Sequence, residues 1–265
     1  MSRLAPWISL RSVTVRLGSL DVLSDVSVDF PASSSTVVVG PSGSGKSTLL
    51  KVAAGIILPD EGEVLWDDRP FHRLPRRELA ELRRLNGFAF QDAALWANKS
   101  LEENLALPLR VQMPRLSAQA IQDTLTRCCR ELGFQDSLSS RPAQLSTGEL
   151  KIVSFMRAVI GNPSLLFVDE PTASIDHEVA DRMLGVIRRL KEAGTTLIVV
   201  THSSKLASMV ADHVVVLRGG RLLEAGPTAE VVRSKRREVL EILSEILTEV
   251  ATYDRDLLDL LGEQS

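Results

Sequence analysis

Thr36-Val37-Val38-Val39 runs into Gly40-Pro41-Ser42-Gly43-Ser44-Gly45-Lys46-Ser47-Thr48 and then into Leu49-Leu50-Lys51-Val52-Ala53-Ala54. The β-branched run reads as a buried strand and the stretch from Ser47 to Ala54 as a helix, so a glycine-rich turn joins strand to helix. That is the setting a phosphate-binding loop needs. Glycines let backbone N–H groups curl around phosphate oxygens, and the helix N-terminus adds positive dipole. In such a loop Lys46 is expected to reach the β- and γ-phosphates of a nucleotide and Ser47 to hold Mg²⁺ through its hydroxyl. A plain Gly/Ser-rich turn is the alternative, and the strand before and helix after argue against it.

Working outward, Leu165-Leu166-Phe167-Val168 ends in Asp169-Glu170. Acidic residues at the carboxyl end of a buried parallel strand lie at the edge where such sheets bind ligands. Asp169 suits the Mg²⁺ shell, and Glu170 could polarise an attacking water. A solvated strand-end pair is the alternative, which the phosphate loop outweighs.

The rest of the chain supports an α/β class. Val13, Val15 and Leu17, then Val26, Val28 and Phe30, alternate with polar residues around a turn at Gly18 to Asp21, which predicts an antiparallel pair. Thr36 to Val39, Leu165 to Val168 and Thr195 to Val200 are buried-strand runs separated by helical stretches, the pattern of a parallel sheet covered on both faces. From about residue 92 to residue 158 the strand signal vanishes, and Ser117 opens a helical pattern through Ile121, Leu125 and Cys128 or Cys129. An inserted helical lobe is expected there. The fold predicted is a P-loop NTPase (RecA-like) core with an antiparallel β subdomain, the inserted lobe and C-terminal amphipathic helices. A nucleotide-binding domain over residues 1–228 would be followed by a helical extension over 229–265.

Composition narrows the function. The 265 residues carry 31 Lys and Arg against 34 Asp and Glu, a net charge of −3. No positive excess is available for a nucleic-acid backbone, so no nucleic acid is expected as partner. Cys128 and Cys129 are neighbours, poor geometry for a disulfide, and no Cys/His set has metal-ligand spacing. No apolar run approaches the ~20 residues of a membrane helix. Leu4 to Leu10, broken by Pro6, is too brief for a secretory signal, so a cytosolic chain is expected whose membrane role comes through a partner. Arg73, Arg76, Arg77, Arg83 and Arg84 read as solvated helix faces.

Four further pieces carry a family resemblance. Gln91 follows Asn86-Gly87-Phe88-Ala89-Phe90; Leu145-Ser146-Thr147-Gly148-Glu149 comes before Asp169-Glu170; Ala173-Ser174-Ile175-Asp176 comes after; and His202 closes Val200-Thr201-His202. In this order the motifs resemble the nucleotide-binding subunit of an ABC transporter over nearly residues 8 to 225, with Gln91 similar to the Q-loop, Leu145 to Glu149 to the signature, Ala173 to Asp176 to the D-loop and His202 to the H-loop switch. Met alone, each has a plain role: a surface amide, a helix N-cap at Ser146, a turn residue and a strand-end polar residue.

The resemblance implies an ATPase that binds ATP and Mg²⁺ as a head-to-tail homodimer. ATP would lie between the phosphate loop of one chain and Ser146 and Gly148 of the other. His202 would contact the γ-phosphate, and Gln91 would link Mg²⁺ and water to the helical lobe, where transmembrane permease subunits dock. The protein would then sit on the inner face of the cytoplasmic membrane through that permease. Three positions depart from the family pattern. Leu17 stands where an aromatic residue stacks on adenine; Thr147 and Glu149 replace glycine and glutamine in the signature; and Ala173 holds the D-loop serine position. These bear on hydrolysis rate more than on ATP binding.

Gln91 to Trp96 with Leu101-Glu102-Glu103-Asn104-Leu105-Ala106-Leu107-Pro108-Leu109-Arg110 is similar to the ATPase of Mla-type (MCE-associated) phospholipid transporters. That likeness implies phospholipid cargo, an MCE-type lipid-binding protein and a small accessory subunit. The Asn-x-x-x-Pro-Leu stretch is shared with lipoprotein-releasing and cell-division ABC ATPases. After Gly226-Pro227, the residues Val232, Val239, Leu243, Ile246 and Val250 recur at helical spacing, and Leu257, Leu258, Leu260 and Leu261 follow. This amphipathic tail either serves self-association or an accessory subunit, or folds back on its own core.

Overall fold

The computed structural model describes residues 6–250, with side chains through Ser244. It divides into two compact units, one built on Arg73–Leu197 and the other on Trp7–His72 with the chain from Ile198 onward.

The Trp7–His72 segment opens with β1 (Ile8–Leu17) and β2 (Leu20–Phe30), the expected antiparallel pair, with Ile8 opposite Phe30, Val13 opposite Val26 and Leu17 opposite Leu20. β3 (Ser35–Val39) is buried at every residue and leads through the glycine-rich loop into α1 (Lys46–Ala53). β4 (Glu61–Trp66) pairs antiparallel with the other edge of β1, and β5 (Arg69–Pro70) extends it, giving a four-stranded sheet in the order β2-β1-β4-β5. Ile8, Leu10, Val13, Leu23, Phe30 and Trp66 fill its buried face, each contributing about 1.5–3 kcal/mol on burial. Trp66 Nε1 donates to Ala53 O at 3.1 Å, and its ring lies 4.9 Å from that of Phe71, so the sheet is tied to the end of α1.

The unit from Arg73 starts with α2 (Arg76–Arg83), whose one buried residue is Leu82; its arginines face solvent, as their spacing predicts. β6 (Asn86–Ala89) runs parallel to β7 (Leu165–Asp169), with Gly87 opposite Leu166 and Ala89 opposite Val168. Between them the chain is helical: α3 (Leu101–Gln112), α4 (Ala118–Leu132) and α5 (Thr147–Val159). Each start is written locally. Ser100 and Glu103 form a capping box, Ser117 Oγ accepts from Ala120 N at 3.2 Å, and Ser146 caps α5. Ile121, Leu125, Cys128 and Leu132 make the buried stripe of α4, so Cys128 rather than Cys129 faces the core. α6 (His177–Glu192) follows β7, N-capped by Asp176 through Glu178 N at 2.9 Å.

β8 (Thr196–Val200), fully buried, carries the chain across the division between the units. In the second unit α7 (Ser204–Val210) is followed by β9 (His213–Arg218), which runs parallel to β3 with Val37 opposite Val214, and by β10 (Arg221–Pro227), antiparallel to β9 across Gly219-Gly220. α8 (Thr228–Val231) and α9 (Arg237–Val250) close the described chain. Of the two roles open to the tail, its first turns adopt the inward one. Val239, Ile242 and Leu243 are at most 5% exposed, and α9 packs on α7. A stripe at helical spacing buries on the nearest apolar face, here a helix whose own Leu206 and Val210 are fully buried. The side chains of Ile246 and Val250, and Leu257 to Leu261, lie outside the described residues.

Candidate nucleotide site

Two constellations of the expected residues occur, one in each unit. In the second unit β3 delivers Gly40, whose φ of 151° and whose absent side chain are both required: a Cβ there would lie 2.1 Å from Leu217 O. Gly45, at φ 93°, is the N-cap of α1, and a Cβ on it would lie 2.7 Å from Val22 O. The loop is pinned to its surroundings through Ser44. Ser44 N donates to Pro41 O and Gly220 N donates to Ser44 O, both at 3.2 Å. Ser44 Oγ is buried with no hydrogen-bond partner among the described residues, so a donor or acceptor in the loop remains to be satisfied.

Lys46 is 7% exposed, and its Nζ donates to Gly40 O at 2.7 Å and Pro41 O at 2.9 Å. The ammonium thus spans the loop from helix to strand end. Because Gly45 has no side chain, the first N–H groups of α1 receive no side-chain cap, and no acidic residue stands in the first turn. A helix dipole, an N-terminus without an N-cap side chain and a held ammonium are together the features that suit an anion. Pro41, Ser42 and Gly43 are its exposed rim, and Ser47 and Thr48 its partly buried helical side.

Leu17 and His202 belong to the same unit. His202 is exposed two residues after β8, where Ser203 N donates to Thr201 Oγ1 at 2.9 Å. Leu17 is 67% exposed and Leu20, its partner across the hairpin, 66%. The hairpin flanks the loop, since Val22 and Leu23 of β2 are the residues a Cβ on Gly45 would strike.

The remaining expected residues lie in the Arg73–Leu197 unit. β7 ends at Asp169, 2% exposed. Glu170 has φ 48°, a left-handed conformation that costs a non-glycine residue about 1–2 kcal/mol and concentrates at functional turns. Ser146 and Glu149 hydrogen-bond reciprocally: Ser146 N donates to Glu149 Oε2 at 2.6 Å, and Glu149 N to Ser146 Oγ at 3.3 Å. Glu149, a departure from the family pattern, is therefore the capping-box partner of Ser146. Hydrogen bonds from Ser146 hold the Glu149 carboxyl below the usual carboxylate range, whereas burial and then the adjacent Glu149 charge push Asp136 up.

Gln91 is exposed after β6. Two residues that sequence reasoning missed connect these segments. Lys151 Nζ donates to Ala173 O at 2.7 Å, joining α5 to the segment Ala173–Asp176, and Arg157 donates to the carbonyls of Ala93 and Ala94. A signal was present for Arg157, an isolated charge in the apolar run Ile152–Val159, because such a charge needs buried acceptors.

A family model described as ABC transporter matches residues 23–173. The methionine import ATP-binding protein MetN of Corynebacterium jeikeium is 34% identical over 214 residues, which are 80% of this chain and 57% of that protein. The chain thus spans less than two thirds of that relative's length. The L-cystine import ATP-binding protein TcyC of Bacillus subtilis is 29% identical over 234 residues, 87% of this chain and 94% of TcyC. Among solved structures, the dimeric post-hydrolysis state of the ATP-binding cassette MJ0796 bound to ADP and Pi is similar with a TM-score of 0.75 at 28% identity, covering 83% of this chain and 98% of that one. The α/β P-loop architecture expected from the phosphate loop is the fold of that cassette.

Proposed function

Because the chain belongs to the ABC transporter family, we propose that it is the subunit that binds and hydrolyses ATP to power a membrane transporter. The observation that carries this reading is the phosphate loop itself, a held Lys46 at the uncapped, carboxylate-free N-terminus of α1. On this reading Lys46 and the loop N–H groups take the β- and γ-phosphates. Glu170 orients the attacking water and accepts its proton, and His202 contacts the γ-phosphate.

On the same reading, Ser47, Asp169 and Gln91 would be the ligands of Mg²⁺. The Ser47 hydroxyl, Asp169 carboxylate and Gln91 amide oxygen are hard oxygen ligands, and Mg²⁺ commonly takes one or two carboxylates plus substrate phosphates rather than an all-protein cage. When bound, the ion would neutralise charge developing on the phosphates.

Two copies arranged head to tail would each offer Ser146 and Gly148 to the other's nucleotide. The similar MJ0796 structure is described as dimeric. The partner in the membrane is a permease. A groove of about 470 Å³ in the Arg73–Leu197 unit supports that reading: Trp96, Leu107 and Val111 form an apolar wall and Arg83 and Arg84 a basic rim. An apolar permease segment with an acidic flank would complement it. No helix among the described residues is long and apolar enough to cross a membrane. Attachment at the cytoplasmic face would be through the permease.

For cargo, the relatives' names favour import of a small solute, methionine or L-cystine. A second reading, phospholipid transport with an MCE-type protein and an accessory subunit, is favoured by the stretch Gln91 to Arg110; lipoprotein release or a cell-division complex would use the same stretch. Phosphate release by the full-length chain with Mg²⁺ and ATP tests the enzymatic reading. Turnover that Glu170→Gln leaves unchanged would overturn it. Reconstitution with the permease encoded beside it separates the cargoes, through stimulation of turnover by an amino-acid-loaded binding protein or by phospholipid.

A further inference from the structure

The turn that follows Gln91 is held in place by the helix that follows Ser146. Ala93 and Ala94 have φ of 63° and 47°, so two successive non-glycine residues stand in the left-handed region, which L-residues enter at a cost. The turn is closed by Ala93 N donating to Phe90 O at 3.1 Å and Ala94 N to Asp92 O at 2.8 Å. Neither bond explains why the strained conformation persists. Arg157, on α5, donates from Nη1 to Ala94 O at 2.9 Å and from Nη2 to Ala93 O at 3.2 Å. One planar guanidinium thus reads two successive carbonyls, a geometry that the strained turn creates and that the point charge of a lysine does not match. Burial pushes the Arg157 pKa down, yet a guanidinium stays charged in proteins and must be satisfied where it sits.

We propose that Arg157 is a positioning residue for Gln91: it clamps the strained Ala93-Ala94 turn and fastens the Gln91 loop to the helix that Ser146 caps. Loop and helix then move as one piece. The distance between the two functional residues in the chain is spanned by a single side chain, ten residues after Thr147 opens α5. Ala94 and Arg157 also line the groove assigned above to the permease, so an occupant of that groove would press directly on the clamp. The proposal rests on the ATPase reading only for its Mg²⁺ readout.

The test uses the full chain and two measurements. In Arg157→Met, amide hydrogen exchange across residues 92–96 should accelerate roughly tenfold, and the Mg²⁺ concentration for half-maximal ATP turnover should rise roughly tenfold, with nucleotide affinity in the absence of Mg²⁺ changed by less than about twofold. Adding Ala93→Gly and Ala94→Gly to that variant removes the steric cost of the turn and should recover most of the Mg²⁺ requirement, a rescue that simple loss of packing would not permit. If Arg157→Met does not fold, Arg157→Lys, which keeps the stem and charge, undergoes the same two measurements. Unchanged exchange would overturn the clamp. Faster exchange with an unchanged Mg²⁺ requirement, or glycines that fail to restore a shifted one, would overturn the link to Gln91. A wild-type chain that binds no ATP would defeat the ATPase reading alone, and exchange would still judge the clamp.

Discussion

Lys46 Nζ donates to Gly40 O at 2.7 Å, so the cation that closes the phosphate loop is held by the first residue of that same loop. Pro41 O accepts from the same ammonium at 2.9 Å, and an arriving phosphate would compete for these protons. Lys46→Met should therefore weaken binding of a non-hydrolysable ATP analogue by roughly 10–100-fold, the range expected from losing charged hydrogen bonds, and abolish turnover. Calorimetry decides it, and unchanged affinity would mean that the loop does not bind phosphate.

Glu170 offers two separable tests, because its carboxyl and its backbone do different things. Glu170→Gln, nearly isosteric, should keep ATP binding and reduce turnover by roughly 10²-fold or more. Glu170→Gly should also be inactive, yet it relieves the φ of 48° and should raise stability by about 1 kcal/mol, read as a higher melting temperature. A glycine variant that melts earlier would show that the conformation costs nothing.

The Ser146–Glu149 capping box makes stability pH-dependent. The folded-state pKa of Glu149 is depressed, so its contribution is present above the ordinary carboxylate range and is lost as pH falls through the depressed value. Asp136, raised, has the opposite sign: its contribution is present at low pH and lost as pH rises through its raised value. Glu149→Ala should cost about 1 kcal/mol at neutral pH, and the gap from wild type should close as pH falls through the depressed value. Thermal melts across pH provide the check; a gap independent of pH would sink the assignment.

Burial pushes the Cys128 thiol up to about 12, and Cys129, half-buried, is raised for the same reason. Thiolate is the reactive form, so alkylation of the folded protein at neutral pH should be slow and should label Cys129 first. Peptide mass mapping after a timed iodoacetamide pulse measures this. Preferential labelling of Cys128 would mean that α4 is rotated from the stripe described.

Much of the site was legible because its signals are local. Ser100, Ser117 and Ser146 begin helices through bonds three residues away, and the β-branched run before Gly40 needs no distant partner to be recognised as a strand. Arg157 escaped notice because its meaning lies in carbonyls 63 and 64 residues earlier. Glu149 was seen only as a carboxylate where glutamine is usual; the short bond from Ser146 N makes it the partner of the helix cap.

The tail divides the same way. Periodicity over Val239, Leu243 and their neighbours predicts an amphipathic helix, since a stripe at 3.6-residue spacing depends on order along the chain alone. Which surface covers the stripe depends on what lies across from it, and the fold puts α7 there for Val239, Ile242 and Leu243. The sequence by itself determined the glycine-rich turn between strand and helix, the helix starts and the α/β class, because steric freedom, capping and hydrophobic period are properties of neighbouring residues. Tertiary structure alone decided that Arg157 grips the turn after Gln91, that Glu170 sits in a strained conformation and that Cys128 rather than Cys129 is buried. Each of these depends on contacts, burial or backbone angles set by segments far apart in the chain.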